Sequence, residues 1–97
     1  MTRRPPSRSD KIGEWLERFA EDEEGILTAD GLEDAFLGVA VRCSQPPLAV
    51  YDGQRCIEIL MARDGMDEEA ATKCFEFNTL GAWVGDRTPL YLWRYKS

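Results

Sequence analysis

Histidine is absent from the 97 residues. That absence removes the commonest general base, the Ser-His and Cys-His nucleophile pairs, and the commonest metal ligand. Cysteine is scarce: Cys43, Cys56 and Cys74 are an odd number at wide spacings, with no Cys-x-x-Cys pair. This pattern excludes a disulfide framework, leaves zinc without a close ligand pair, and points to a reducing, cytoplasmic setting. The eight glycines are scattered, and no Gly-x-Gly-x-x-Gly or Gly-Lys-Ser/Thr element is present to cradle a phosphate. No apolar run approaches the roughly 18 residues that would span a bilayer. The first ten residues, Met-Thr-Arg-Arg-Pro-Pro-Ser-Arg-Ser-Asp, lack the apolar run of a secretory signal. Base is also in short supply, with 12 Lys and Arg against 18 Asp and Glu for a net charge of −6. An acidic chain is a poor general binder of nucleic acid or of anionic membranes, because both depend on basic side chains meeting phosphate. The chemistry left open is that of a non-catalytic protein with no metal and no cofactor.

What is present suits a small core. A hydrophobic fraction of 43% with three tryptophans is enough to pack one domain, expected over residues 9–97, behind a flexible basic arm at 1–8. Three arginines on that arm, Arg3, Arg4 and Arg8, would hold nucleic acid only weakly on an acidic body. Ser9 or Asp10 can cap a first helix, along which Ile12, Trp15, Leu16 and Phe19 recur at i, i+3, i+4 and i+7. On its wet face Glu14 and Arg18 are spaced for an ion pair. The acidic run Glu21–Glu24 opposes a helix C-terminus electrostatically, so the helix should stop near Ala20 or Glu21.

Asp30 and Glu33 have capping-box spacing, which predicts a short helical turn near 30–35. A strand over Phe36–Cys43, a Ser44–Pro47 turn and a second strand over Leu48–Tyr51 make a hairpin. Asp52 then caps a helix whose inward stripe is Cys56, Ile57, Leu60 and Met61, ending at Gly65. Asp67 caps another, with Ala70, Ala71, Cys74, Phe75 and Phe77 as its apolar face. The short link between the two predicts an αα-hairpin. Pro89 leads into a last strand over 89–95, where Leu90 and Leu92 take one face and Tyr91, Trp93 and Tyr95 the other. The expected fold class is α+β: a small antiparallel sheet packed against an αα-hairpin, with an extra N-terminal helix.

Several of these segments are recognisable together. Val-Tyr-Asp at 50–52, Cys56–Met66, Phe-Glu-Phe-Asn at 75–78 and Gly-Ala-Trp-Val-Gly-x-x-Thr-Pro at 81–89, in that order, resemble a family of small uncharacterised proteins encoded by phages and prophages. The resemblance covers about residues 30–93. It implies a bacterial cytoplasm and brings no catalytic or ligand residues. By analogy with small phage proteins that disable host factors, it also implies a protein partner.

Placing Gly25 at the invariant glycine of a calcium loop puts Ala20 first and Gly31 twelfth, where carboxylates are needed, so calcium does not fit. Cys43, next to Arg42, is the one cysteine outside a core stripe, and nothing in the sequence activates it further. Two surfaces remain. Residues 14–34 carry nine acids, Glu14, Glu17, Glu21, Asp22, Glu23, Glu24, Asp30, Glu33 and Asp34, against the single base Arg18. Such a face can imitate a phosphate row and occupy the basic groove of a host nucleic-acid-directed defence protein, or it can simply keep the chain solvated. The aromatics Tyr91, Trp93 and Tyr95 can anchor an interface if the last strand lies at a sheet edge, or they can cover the core and pack on Trp15 and Phe19. The expected function is therefore a protein-binding module, an inhibitor through its acids, with a self-associating accessory or structural phage protein as the alternative. The expected partner is a host or phage protein or a second copy, and not nucleic acid or membrane.

Overall fold

A computed structural model describes residues 7–19, 25–82 and 85–95. The first helix, α1 (Arg8–Leu16), starts earlier than Ser9 because Ser7 caps it. The Ser7 hydroxyl accepts from the Asp10 N–H, and the Asp10 carboxylate accepts from the Ser7 N–H, both at 3.1 Å. Two orphan amides are thereby satisfied at once. Arg8 is a helix residue, not part of an arm. A tight turn at Glu17–Phe19 follows. Leu16 is buried, whereas Trp15 stays partly exposed, its ring 4.9 Å from Phe19 and 6.0 Å from Phe36. Arg18 lies over that indole at 5.7 Å rather than pairing with Glu14.

The turn expected near 30–35 is a single 3-10 turn at Glu33–Ala35, which buries Leu32 and Ala35. Asp30 does not cap it; the Glu33 carboxylate instead accepts from the Gly31 N–H at 3.2 Å. The hairpin follows, with β1 (Phe36–Ala40) antiparallel to β2 (Leu48–Asp52). Leu37 is an extra residue between Phe36 and Gly38, and Gly38 takes φ +155°, a conformation that only glycine adopts freely. β1 ends three residues before Cys43, where the chain turns through Ser44 at φ +64°.

Asp52 closes β2 and caps α2 (Gly53–Asp64) in one step, its carboxylate accepting from the Arg55 N–H at 3.2 Å. Cys56, Ile57 and Leu60 face inward, and Gly65 at φ +66° ends the helix. Asp67 caps α3 (Glu68–Phe75) through the Ala70 N–H at 2.8 Å. Ala71 and Phe75 are buried, but Ala70 is exposed and Phe77 is 86% exposed. Position 77 lies about 200° around the helix from position 75, on the far side of its apolar stripe. Past Phe75 the backbone widens into a π turn at Glu76–Leu80, closed by the Gly81 N–H on the Glu76 carbonyl at 3.0 Å.

The fold is α+β, but the sheet is mixed. β3 (Leu90–Leu92) adds to β2 in parallel, for a strand order β1-β2-β3. It is also shorter than 89–95. The parallel sense brings the residues after β3 to the end of β2, where Arg94 meets Asp52 at 3.5 Å and the Trp93 ring covers Gly53. Trp93 leaves the ladder to make that contact. One face of the sheet, with Ala49 and Tyr51, joins Leu32, Ala35, Cys56, Ile57, Leu60, Ala71 and Phe75 in the core. The Tyr51 hydroxyl accepts from the Ala29 N–H at 2.8 Å and so ties the 25–29 segment to the sheet.

Candidate functional site

The acidic segment changes character in three dimensions. Glu14, Glu17, Asp30 and Asp34 are exposed and Glu33 is half-buried, while Glu21, Asp22, Glu23 and Glu24 lie outside the described residues. α1 packs against the Glu33–Ala35 turn and delivers Arg8 to it. The Arg8 Nε donates to the Glu33 carbonyl at 3.0 Å and stands 3.4 Å from the Asp34 carboxylate. Arg63 reaches Gly31, where a β-carbon would lie 2.9 Å from its guanidinium. Arg87 donates to the Gly25 carbonyl at 2.9 Å, across 62 positions of sequence. A segment with one base of its own thus gathers three arginines from elsewhere. The Arg8–Asp34 pair is exposed and individually weak, but three guanidinium charges beside the segment dilute the negative field that a phosphate mimic needs.

The three aromatics do not share a face. Tyr91 points inward, 6.0 Å from Tyr51 and 5.1 Å from Phe75 by ring centroids. Burial pushes its hydroxyl up to about 12. Trp93 sits at the helical rim, 5.9 Å from Phe75 and against Gly53, with 48% of its surface exposed. Tyr95 is 91% exposed. None of them stacks on Trp15, whose ring partners are Phe19 and Phe36. The strand alternation holds only across Leu90–Leu92, because the chain leaves the sheet at Trp93.

A third surface was not singled out from the sequence. Cross-strand partners Ala40 and Leu48, then Gly38, Val50 and Leu90, and finally Asp52 and Leu92 share the sheet face opposite the helices. Among the described residues none of the apolar members belongs to the core or packs against it, and Leu48 and Val50 are half-buried. Leu90 and Leu92 are 45% and 48% exposed. A groove of about 340 Å³ runs over Ala40, Leu48 and Leu90, rimmed by Arg42 and Asp86. The signal was there in Leu48-x-Val50 and Leu90-x-Leu92. Both strands are apolar on both faces, whereas a sheet with one wet side alternates apolar with polar.

Reactive chemistry has little to build on in the described residues. Cys56 is fully buried and its thiol is pushed up to about 12, chiefly by desolvation and then by the Asp52 carboxylate, which holds it protonated. Cys43 is exposed with its sulfur 3.7 Å from the Ser44 hydroxyl. Among the described residues no three acids or cysteines converge as a metal would require, and no helix is long and apolar enough to cross a membrane. The chain matches no family model, no curated protein and no solved structure.

Proposed function

We propose that the chain is a non-catalytic protein-binding module of phage or prophage type, working in the bacterial cytoplasm by associating with a second copy of itself. The observation that carries this reading is the open apolar face of the sheet, with Leu48, Val50, Leu90 and Leu92 on the side away from the helices. Leaving such a face in water forfeits about 25 cal/mol for each Å² that could be buried. A second copy offers the same apolar face without any further recognition element. The test is light scattering after size exclusion, at low and high salt. The expected result is a dimer that survives high salt and becomes a monomer in Leu90→Lys, with the same circular dichroism. A chain that stays monomeric across a wide concentration range would remove this reading.

A second reading, inhibition of a host nucleic-acid-directed defence protein through acidic residues, is favoured by Glu14, Glu17 and Asp30. All three are exposed and form no ion pair among the described residues. A partner held this way would elute from the tagged protein at moderate salt, and would not bind once Glu14, Glu17 and Glu21–Glu24 were neutralised. The arginines drawn to the segment weigh against it.

A further inference from the structure

We infer that the chain binds a small neutral apolar molecule carrying one oxygen acceptor, in the pocket between α1 and the 25–29 segment. The inference goes beyond the self-association reading and does not depend on it. The pocket is lined by Tyr51, on the core side of the sheet, and not by the open face. Its volume is about 260 Å³. A dry cavity of about 150 Å³ lined by Leu, Ile and Phe already takes up benzene, so this one has room for about ten heavy atoms.

The walls are Ile12 and Leu16 from α1, Ile26 and Ala29 from the segment after it, and Tyr51 from β2. Such walls suit an apolar occupant, because a resident water needs about two to four polar partners. Gly13 completes the α1 wall and is exposed at the pocket mouth. A β-carbon at that position would meet nothing within 4 Å. Packing therefore does not demand glycine there, and glycine is among the poorest residues for a helix interior. Its effect is to leave the mouth clear.

One polar group narrows the class of ligand. The Tyr51 hydroxyl accepts the Ala29 N–H at 2.8 Å, which places it at the pocket because Ala29 is part of the lining. Tyr51 is only 1% exposed, and its hydroxyl proton has no acceptor among the described residues. A buried donor without an acceptor is costly, and a ligand oxygen would supply one. Charge narrows the class again. Glu17 and Glu33 line the pocket and no lysine or arginine does, so a carboxylate or phosphate would be repelled. An ammonium group has no lone pair to offer the Tyr51 proton. An alcohol or carbonyl oxygen on an apolar body meets both conditions.

The experiment titrates the full chain with benzyl alcohol, toluene, benzoate and benzylammonium while backbone amide resonances are followed. Benzyl alcohol should shift the Ile12, Ile26 and Ala29 amides saturably, with a Kd of about a millimolar or tighter for so few atoms. Toluene should bind the same site more weakly, and the two ions should not bind it. Tyr51→Phe should weaken benzyl alcohol about tenfold, to the level of toluene, while toluene changes little. Gly13→Leu, which closes the mouth, should abolish both with the circular dichroism retained. If that variant does not fold, the Tyr51→Phe comparison still decides, because general damage to the fold would weaken both ligands alike. Absent or unsaturable shifts with benzyl alcohol, or shifts centred elsewhere, would overturn the inference. So would equal losses of both ligands in Tyr51→Phe, or benzoate binding as tightly as benzyl alcohol.

Discussion

The indole of Trp93 rests directly on the backbone of Gly53, so that a β-carbon built at position 53 would stand 2.7 Å from the ring. Nothing but glycine fits under the ring at the first residue of α2. This contact also holds the chain leaving β3 against the helix that follows β2, and the Arg94–Asp52 pair lies beside it. Gly53→Ala should therefore displace Trp93 and destabilise the fold by about 1–3 kcal/mol, outweighing the helix preference of alanine. Urea denaturation and the tryptophan emission maximum check it. Unchanged stability with unchanged emission would show that the ring is not held there.

Tyr51 is buried, with its hydroxyl accepting the Ala29 N–H. Tyr51→Phe keeps the ring and its contacts with Phe36 and Tyr91 but leaves that amide without its acceptor. The expected cost is about 1–3 kcal/mol, visible as a lower melting temperature. Faster hydrogen exchange at Ala29 would place the loss at the 25–29 segment, and unaltered exchange there would contradict the assignment.

Alkaline conditions should unfold the protein in a defined window. Burial raises the Cys56 thiol from 9.0 to about 12, the Tyr91 hydroxyl from 10.0 to about 12, and Tyr51 in the same direction. Each group is neutral when protonated, so the folded state keeps protons that the unfolded state releases. Their contribution is complete below pH 9 and falls as pH rises towards 12, by up to about 1.4 kcal/mol per pH unit for each group inside its window. Cys56→Ala should lower stability at neutral pH but delay the onset of the fall to near pH 10, where the tyrosines begin. Denaturation midpoints measured from pH 7 to 11 decide it, and an identical pH profile in the variant would refute the role of Cys56.

The three thiols should label in order of access. Cys43 is exposed, Cys74 is partly covered and accepts from the Asn78 side-chain amide at 3.4 Å, and Cys56 is fully buried. A maleimide reagent followed by mass spectrometry should modify Cys43 within the mixing time. Cys56 should react only at the rate of opening. Early modification of Cys56 would mean that the core opens locally around α2.

Much of the fold was legible from local chemistry. Asp52, Gly65 and Asp67 mark the bounds of α2 and the start of α3 because caps and left-handed ends are set by neighbours three or four residues away. The 36–40 and 48–52 hairpin follows from apolar runs around a Pro-containing turn. The errors lie where a local pattern is ambiguous. Ser7, Ser9 and Asp10 are all capping residues, and only the reciprocal Ser7–Asp10 bonds choose between them. Phe77 reads as apolar helix, but the widened turn after Phe75 carries it into water.

The candidate surfaces were the least legible part. A count of acids along residues 14–34 cannot reveal that Arg8, Arg63 and Arg87 come to that segment from elsewhere in the chain. The identity of the elements, their caps and much of the core stripe depended on spacings within a few residues, and these the sequence determined by itself. The direction of β3, the separation of Tyr91, Trp93 and Tyr95, and the open face of the sheet were decided by tertiary structure. Alternation along a strand reads the same in both directions, whereas Trp93 on Gly53 and Arg94 at Asp52, contacts spanning some forty residues, accompany the parallel sense.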